Sequence, residues 1–106
     1  MVSGISMLPT LLDGDLVLYK KYSPINSELT IGQIIIFEHP LKNIKLIKRI
    51  KSIGKNYVEV IGDNIKLSED STNFGLINKN MISGILTSKI NMNINIIPNF
   101  SSLKTF

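Results

Sequence analysis

Two residues in this chain combine reactive chemistry with an unusual setting. Ser6 lies in Gly4-Ile5-Ser6-Met7-Leu8-Pro9-Thr10-Leu11. Pro9 fixes its own φ and keeps Leu8 out of the α region, so Ser6 and Met7 are expected on an irregular bend. A bend that runs into a short helical turn, Pro9 to Leu12, stopped by Asp13-Gly14, would present the hydroxyl and gather backbone N–H groups beside it. That arrangement suits a serine nucleophile with an oxyanion site. Taken alone, the stretch is weak evidence, since most such Gly-x-Ser stretches are plain turns.

Lys48 is the second. Lys42, Lys45, Lys48 and Lys51 recur every three residues, as on the wet stripe of a helix, but the isoleucines between them favour a strand. Alternation then puts Ile44, Leu46, Lys48 and Ile50 on one side and Lys45, Ile47, Arg49 and Lys51 on the other. Lys48 alone breaks an apolar face. An ammonium among apolar side chains is poorly solvated, so its neutral form gains and its pKa falls. A neutral amine is a general base, and Ser–Lys pairs are a known variant of the serine nucleophile system. The plainer alternative is a lysine reaching past the sheet edge to water.

The elements that must position these two are short strands. Leu16 to Tyr19 follows the Asp13-Gly14-Asp15 turn, and Gln33 to Glu38 is bounded by Gly32 and Pro40. Ile44 to Ile53 and Tyr57 to Ile61 flank a turn at Gly54-Lys55-Asn56, and a last strand runs from about Ile82 to Lys89. Lys20 to Ile31 and Gly62 to Gly75 are turn-rich. The chain from Asn91 is rich in Asn, Ile and Ser, so residues 1–90 are taken as the domain and 91–106 as a low-complexity tail. The spacing predicts a mainly β fold, small and antiparallel.

Composition narrows the chemistry. In 106 residues there is no cysteine, so neither a disulfide nor a thiolate metal site can form, and no metal or cofactor is expected. The single histidine, His39, precedes Pro40 at a strand end, which suits a turn better than a catalytic triad. A net charge of +4, with eleven lysines, one arginine and seven scattered aromatics, does not form a nucleic-acid face. No apolar run approaches the ~18 residues of a membrane span, so no membrane segment is expected within this chain.

Three stretches in order resemble the type I signal peptidase family: Ser3 to Leu11 with Gly14-Asp15, Ile47-Lys48-Arg49-Ile50, and Gly62-Asp63-Asn64 with Ser68-Glu69-Asp70-Ser71 and Phe74-Gly75. The similarity covers residues 2 to about 88. It implies a serine endopeptidase with Ser6 as nucleophile and Lys48 as base, on the β-rich fold shared with LexA-type repressors. Ser68 would orient the lysine amine and Asp70 would fix the loop, with Asp63, Asn64 and Arg49 in support. The substrate would be a protein or peptide whose signal peptide or propeptide is removed. It would lie as an extended strand near Gly4, Met7, Leu46 and Ile47.

Three departures stand out. Thr72 occupies the place of a family arginine, so an Asp–Arg pair with Asp70 is missing. Gly4 stands where some relatives carry a serine of the oxyanion hole, and only five residues precede Ser6. Phe37-Glu38-His39-Pro40 looks most like the compact proteases that mature nickel superoxide dismutase. Other readings are a secretory signal peptidase fragment without its anchor, a LexA-like self-cleaving regulator, or a non-catalytic peptide-binding domain. A cytoplasmic location follows if Met1 is the natural start, and the extracytoplasmic membrane face if an anchor has been removed.

Overall fold

The computed structural model describes residues 1–64 and 75–90. Six strands, β1 (Leu16–Lys21), β2 (Ile34–Glu38), β3 (Lys45–Ile53), β4 (Tyr57–Ile61), β5 (Gly75–Asn78) and β6 (Ile82–Ile90), form one sheet in the order β1-β6-β2-β3-β4-β5. Every neighbouring pair is antiparallel. The mainly β expectation holds, and the five strands expected from sequence are all present. The sixth, β5, was not expected; it is followed by a 3-10 turn at Lys79–Met81. Among the described residues no helix is long and apolar enough to cross a membrane. The tail from Asn91 lies outside the described residues.

The continuous apolar run Ile34–Phe37 has a simple cause: β2 is covered on both faces. Ile35 and Phe37 belong to a core with Tyr22, Ile50, Val58, Val60, Ile77, Ile82 and Ile85. Ile34 and Ile36 belong to a second core with Val17 and three residues of the N-terminal loop, Val2, Met7 and Leu11. The loop is thus a lid of apolar side chains over one face of the sheet, and that packing holds Ser6 in place. Register shifts at Leu18/Tyr19, Ile36/Phe37 and Ile50/Ser52 mark bulges that bend the sheet.

Candidate active site

Residues 2–15 form a closed loop whose base is two backbone bonds, Val2 N–H to the Asp15 carbonyl and Gly14 N–H to the Val2 carbonyl, both 2.8 Å. Gly4 adopts φ +90°, which L side chains rarely reach, and its N–H donates to Asp13 Oδ1 at 2.8 Å. A serine at this position would be strained, a physical reason for the glycine. Beyond Ser6 the expected helical turn is only partly formed. Leu11 N–H donates to the Met7 carbonyl at 2.9 Å, and Pro9 to Leu12 is a turn without a helix.

Lys48 lies on β3 opposite Ile35, two residues from the fully buried Ile50, and is itself 8% exposed. Its amine has no ion pair or hydrogen bond among the described residues. Desolvation by burial lowers its pKa from the ordinary lysine value. The inward lysine expected from alternation is therefore present.

Gly62 joins the two. Ile61 stands opposite Arg49, which carries the next residue, Gly62, alongside Lys48. A Cβ at Gly62 would lie 2.7 Å from the Ser6 carbonyl oxygen and 3.4 Å from Lys48 Nζ. The Ser6 loop and the Lys48 amine thus share one neighbourhood, and a side chain between them is excluded. Asn64 completes the attachment: its N–H donates to the Ser6 carbonyl and its Nδ2 to the Ile5 carbonyl, each at 2.9 Å. With these carbonyls tied back, the Ser6 N–H is left without an acceptor among the described residues.

Asp63 works on the other side of the strand. Its carboxylate accepts two bonds from Arg49, at 2.8 and 2.7 Å, and one from Thr10 Oγ1 at 2.6 Å. Arg49 also donates to the Gly32 carbonyl at 2.6 Å. The Arg49 hydrogen bonds, and secondarily Thr10, hold the Asp63 carboxyl below its usual range. An Asp–Arg pair is therefore present, built from Asp63 and Arg49. Sequence reasoning had named both residues without pairing them. Ser68, Asp70 and Thr72 lie outside the described residues.

A cleft of ≈ 300 Å³ opens beside Ser6, lined by Val2, Val17, Tyr19, Ile36, Leu46 and Ile47, with Lys45 and the first residues of the chain also on its wall. Of the residues expected near a substrate, Leu46 and Ile47 line the cleft. Met7 is not: its side chain is 1% exposed in the second core, because it anchors the loop, and Gly4 is likewise off the wall. Tyr19 and Val17 went unrecognised, since nothing local marks a β1 residue as facing Ser6. His39 is a turn residue, its Nδ1 accepting from the N–H groups of Leu41 and Lys42. Among the described residues no group of His, Asp or Glu side chains is placed to hold a metal.

The family model described as signal peptidase, peptidase S26, matches residues 1–54, a stretch that includes Ser6 and Lys48. Signal peptidase I of Buchnera aphidicola subsp. Schizaphis graminum (strain Sg) is 38% identical over 66 residues, covering 51% of this chain and 21% of that relative. The chain therefore spans about a fifth of the length of the relative it matches. No solved structure matches. With the family model spanning half the chain, the chain belongs to the signal peptidase, peptidase S26, family.

Proposed function

We propose that this protein is a serine endopeptidase that removes an N-terminal signal peptide or propeptide from a protein substrate, using Ser6 and Lys48. The observation that carries the reading is the meeting of the Ser6 main chain and the buried Lys48 amine at Gly62. Neutral Lys48 takes the Ser6 proton as Oγ attacks the scissile carbonyl. The Ser6 N–H faces the developing oxyanion, the lysine returns its proton to the leaving amine, and an acyl-enzyme forms. Water, deprotonated by the same amine, then attacks the ester and frees Ser6 and the carboxylate product.

The sheet offers a place for an extended substrate. β4 pairs with β3 only from Arg49 onward, so the edge of Lys45–Lys48 away from β2 carries no partner strand among the described residues. A peptide added there pairs main chain to main chain and passes Ser6 with alternate side chains in the cleft. Propeptide removal from a nickel superoxide dismutase would be a narrower case of this reaction. It rests on the Phe37–Pro40 resemblance alone.

The test is cleavage of a signal-peptide-bearing precursor followed by intact mass. Wild type is expected to give one new N-terminus, and Ser6→Ala and Lys48→Ala none. Turnover near the wild-type rate in either variant, prepared free of wild type, would sink the assignment.

A further inference from the structure

A second pocket lies where β3 turns into β4, and it shares no residue with the cleft beside Ser6. Its volume is ≈ 570 Å³, within the range of small-molecule sites. Three segments enclose it, each held by bonds of its own. The loop after β1 is closed by Ser27 N–H to the Ser23 carbonyl at 2.8 Å and anchored on the first core by Tyr22 and Leu29. The β3–β4 turn is closed by Gly54 N–H to the Tyr57 carbonyl at 2.7 Å. Lys79 N–H donates to the Asn56 carbonyl at 2.9 Å, which fastens the 3-10 turn to that hairpin. The pocket is therefore a built feature of the fold.

The groups it offers are mostly donors. Tyr22 is 8% exposed, yet its hydroxyl has no hydrogen-bond partner among the described residues. No side-chain oxygen or nitrogen sealed from solvent lacks a partner there, so this hydroxyl opens on the pocket. Lys55 and Lys79 lie on the wall without an ion pair, since the pairs among the described residues are Arg49–Asp63 and Lys51–Glu59. Glu28 is the one carboxylate on the wall and pairs with neither lysine. The side-chain amides of Asn56 and Asn80, also on the wall, make no bond among the described residues. Two ammonium groups against one carboxylate, with a free hydroxyl and free amides, suit a negatively charged ligand rich in acceptor oxygens. Tyr57, half exposed, adds a ring face, and Ile53 an apolar flank. We propose that this pocket binds a small organic anion, a phosphate or carboxylate carried on a ring. Lys55 and Lys79 meet its charge, the Tyr22 hydroxyl donates to one of its oxygens, and Tyr57 lies against the ring. The inference does not depend on the Ser6–Lys48 reading.

Phenyl phosphate is the probe, with phenylacetate as its carboxylate counterpart. Inorganic phosphate, which lacks the ring, and benzyl alcohol, which lacks the charge, are the controls. Amide signals of the isotope-labelled protein are followed by NMR during each titration. One or both ring-bearing anions should saturate at millimolar concentration or below, and the tighter one identifies the anion. Binding should move the N–H signals of Lys55, Asn56, Lys79 and Asn80 and leave those of Ser6 and Ile47 in place. Neither control should saturate in that range. The Lys55→Gln, Lys79→Gln double variant, changed only on the surface, should weaken the tighter probe by about tenfold or more, the scale of charge-assisted hydrogen bonds. Tyr22→Phe, which keeps the ring in the core, should weaken it by about threefold to tenfold, the scale of one hydrogen bond. The lysine variant carries the test if Tyr22→Phe does not fold. Saturation by neither anion, shifts confined to the Ser6 cleft, or affinity unchanged in the lysine variant would overturn the site. Inorganic phosphate binding as tightly as phenyl phosphate would overturn the ring-bearing class. Tetraglutamate binding more tightly than either probe would overturn the small-ligand site in favour of an acidic protein partner.

Discussion

The Ser6 carbonyl and Gly62 are packed so closely that a methyl group on the glycine would stand 2.7 Å from the oxygen. The obstructing atom is main chain and cannot swing aside. Gly62→Ala is therefore expected to push the Ser6 loop off the sheet, at about 1–3 kcal/mol of stability. It should also lower kcat/KM by roughly a hundredfold, as a small misplacement of reacting groups does. Urea unfolding and peptide cleavage measure the two effects. An unimpaired variant would mean that loop and strand can separate without consequence.

The hydrogen bonds from Asn64 act on the same loop from its exposed side. Asn64→Ala removes the Nδ2 bond to the Ile5 carbonyl and leaves the main-chain bond to Ser6. The loss of this bond is expected to cost about 0.5–1.5 kcal/mol of stability. Turnover should fall more than stability alone explains, through kcat and not KM, because the bond orients the loop that carries Ser6.

Asp63 ties Arg49 on β3 to Thr10 in the loop, with 13% of its side chain exposed. Its depressed pKa gives the sign of the pH dependence. The stabilisation is complete above the unfolded aspartate value, about 3.9, and is lost as pH falls through the lower folded value. Asp63→Asn should cost about 1–2 kcal/mol at pH 7, allowing for partial solvent screening. The difference from wild type should shrink below about pH 4. Unfolding free energies of both proteins between pH 2 and 7 provide the check, and a gap constant with pH would contradict it.

Lys48 has the opposite relation to stability. Its folded pKa is lowered by burial, so at neutral pH the folded state bears the cost of a buried ammonium. That cost is complete below the folded pKa and fades as pH rises toward the unfolded value, about 10.4. Lys48→Met is expected to melt no lower than wild type at pH 7, with the difference closing near pH 10, while activity drops on the order of 10⁴–10⁶-fold. In wild type, kcat/KM should rise with pH through a midpoint below the ordinary lysine value. A lower Tm for Lys48→Met at pH 7 would contradict the account.

Much of this molecule follows from local pattern. The isoleucine-rich runs specify β2 and β3 because β-branched side chains suit a covered pleat, and the period of two turns Lys48 inward between Leu46 and Ile50. Pro9 and Gly4 likewise mark the bend at Ser6 from sequence alone. β5, four residues long with Leu76 two-thirds exposed, has too little alternation to announce itself. Other relations belong to tertiary structure because their partners are far apart along the chain. Gly62 matters through the Ser6 carbonyl, Gly84 through the Tyr19 ring, and Asp63 through Arg49 and Thr10. Met7 shows the same limit, since its place beside Ser6 suggested substrate contact while the fold uses it as the loop's apolar anchor. Residue type sets what each group can do; only the closing of the sheet and loop decides which groups meet.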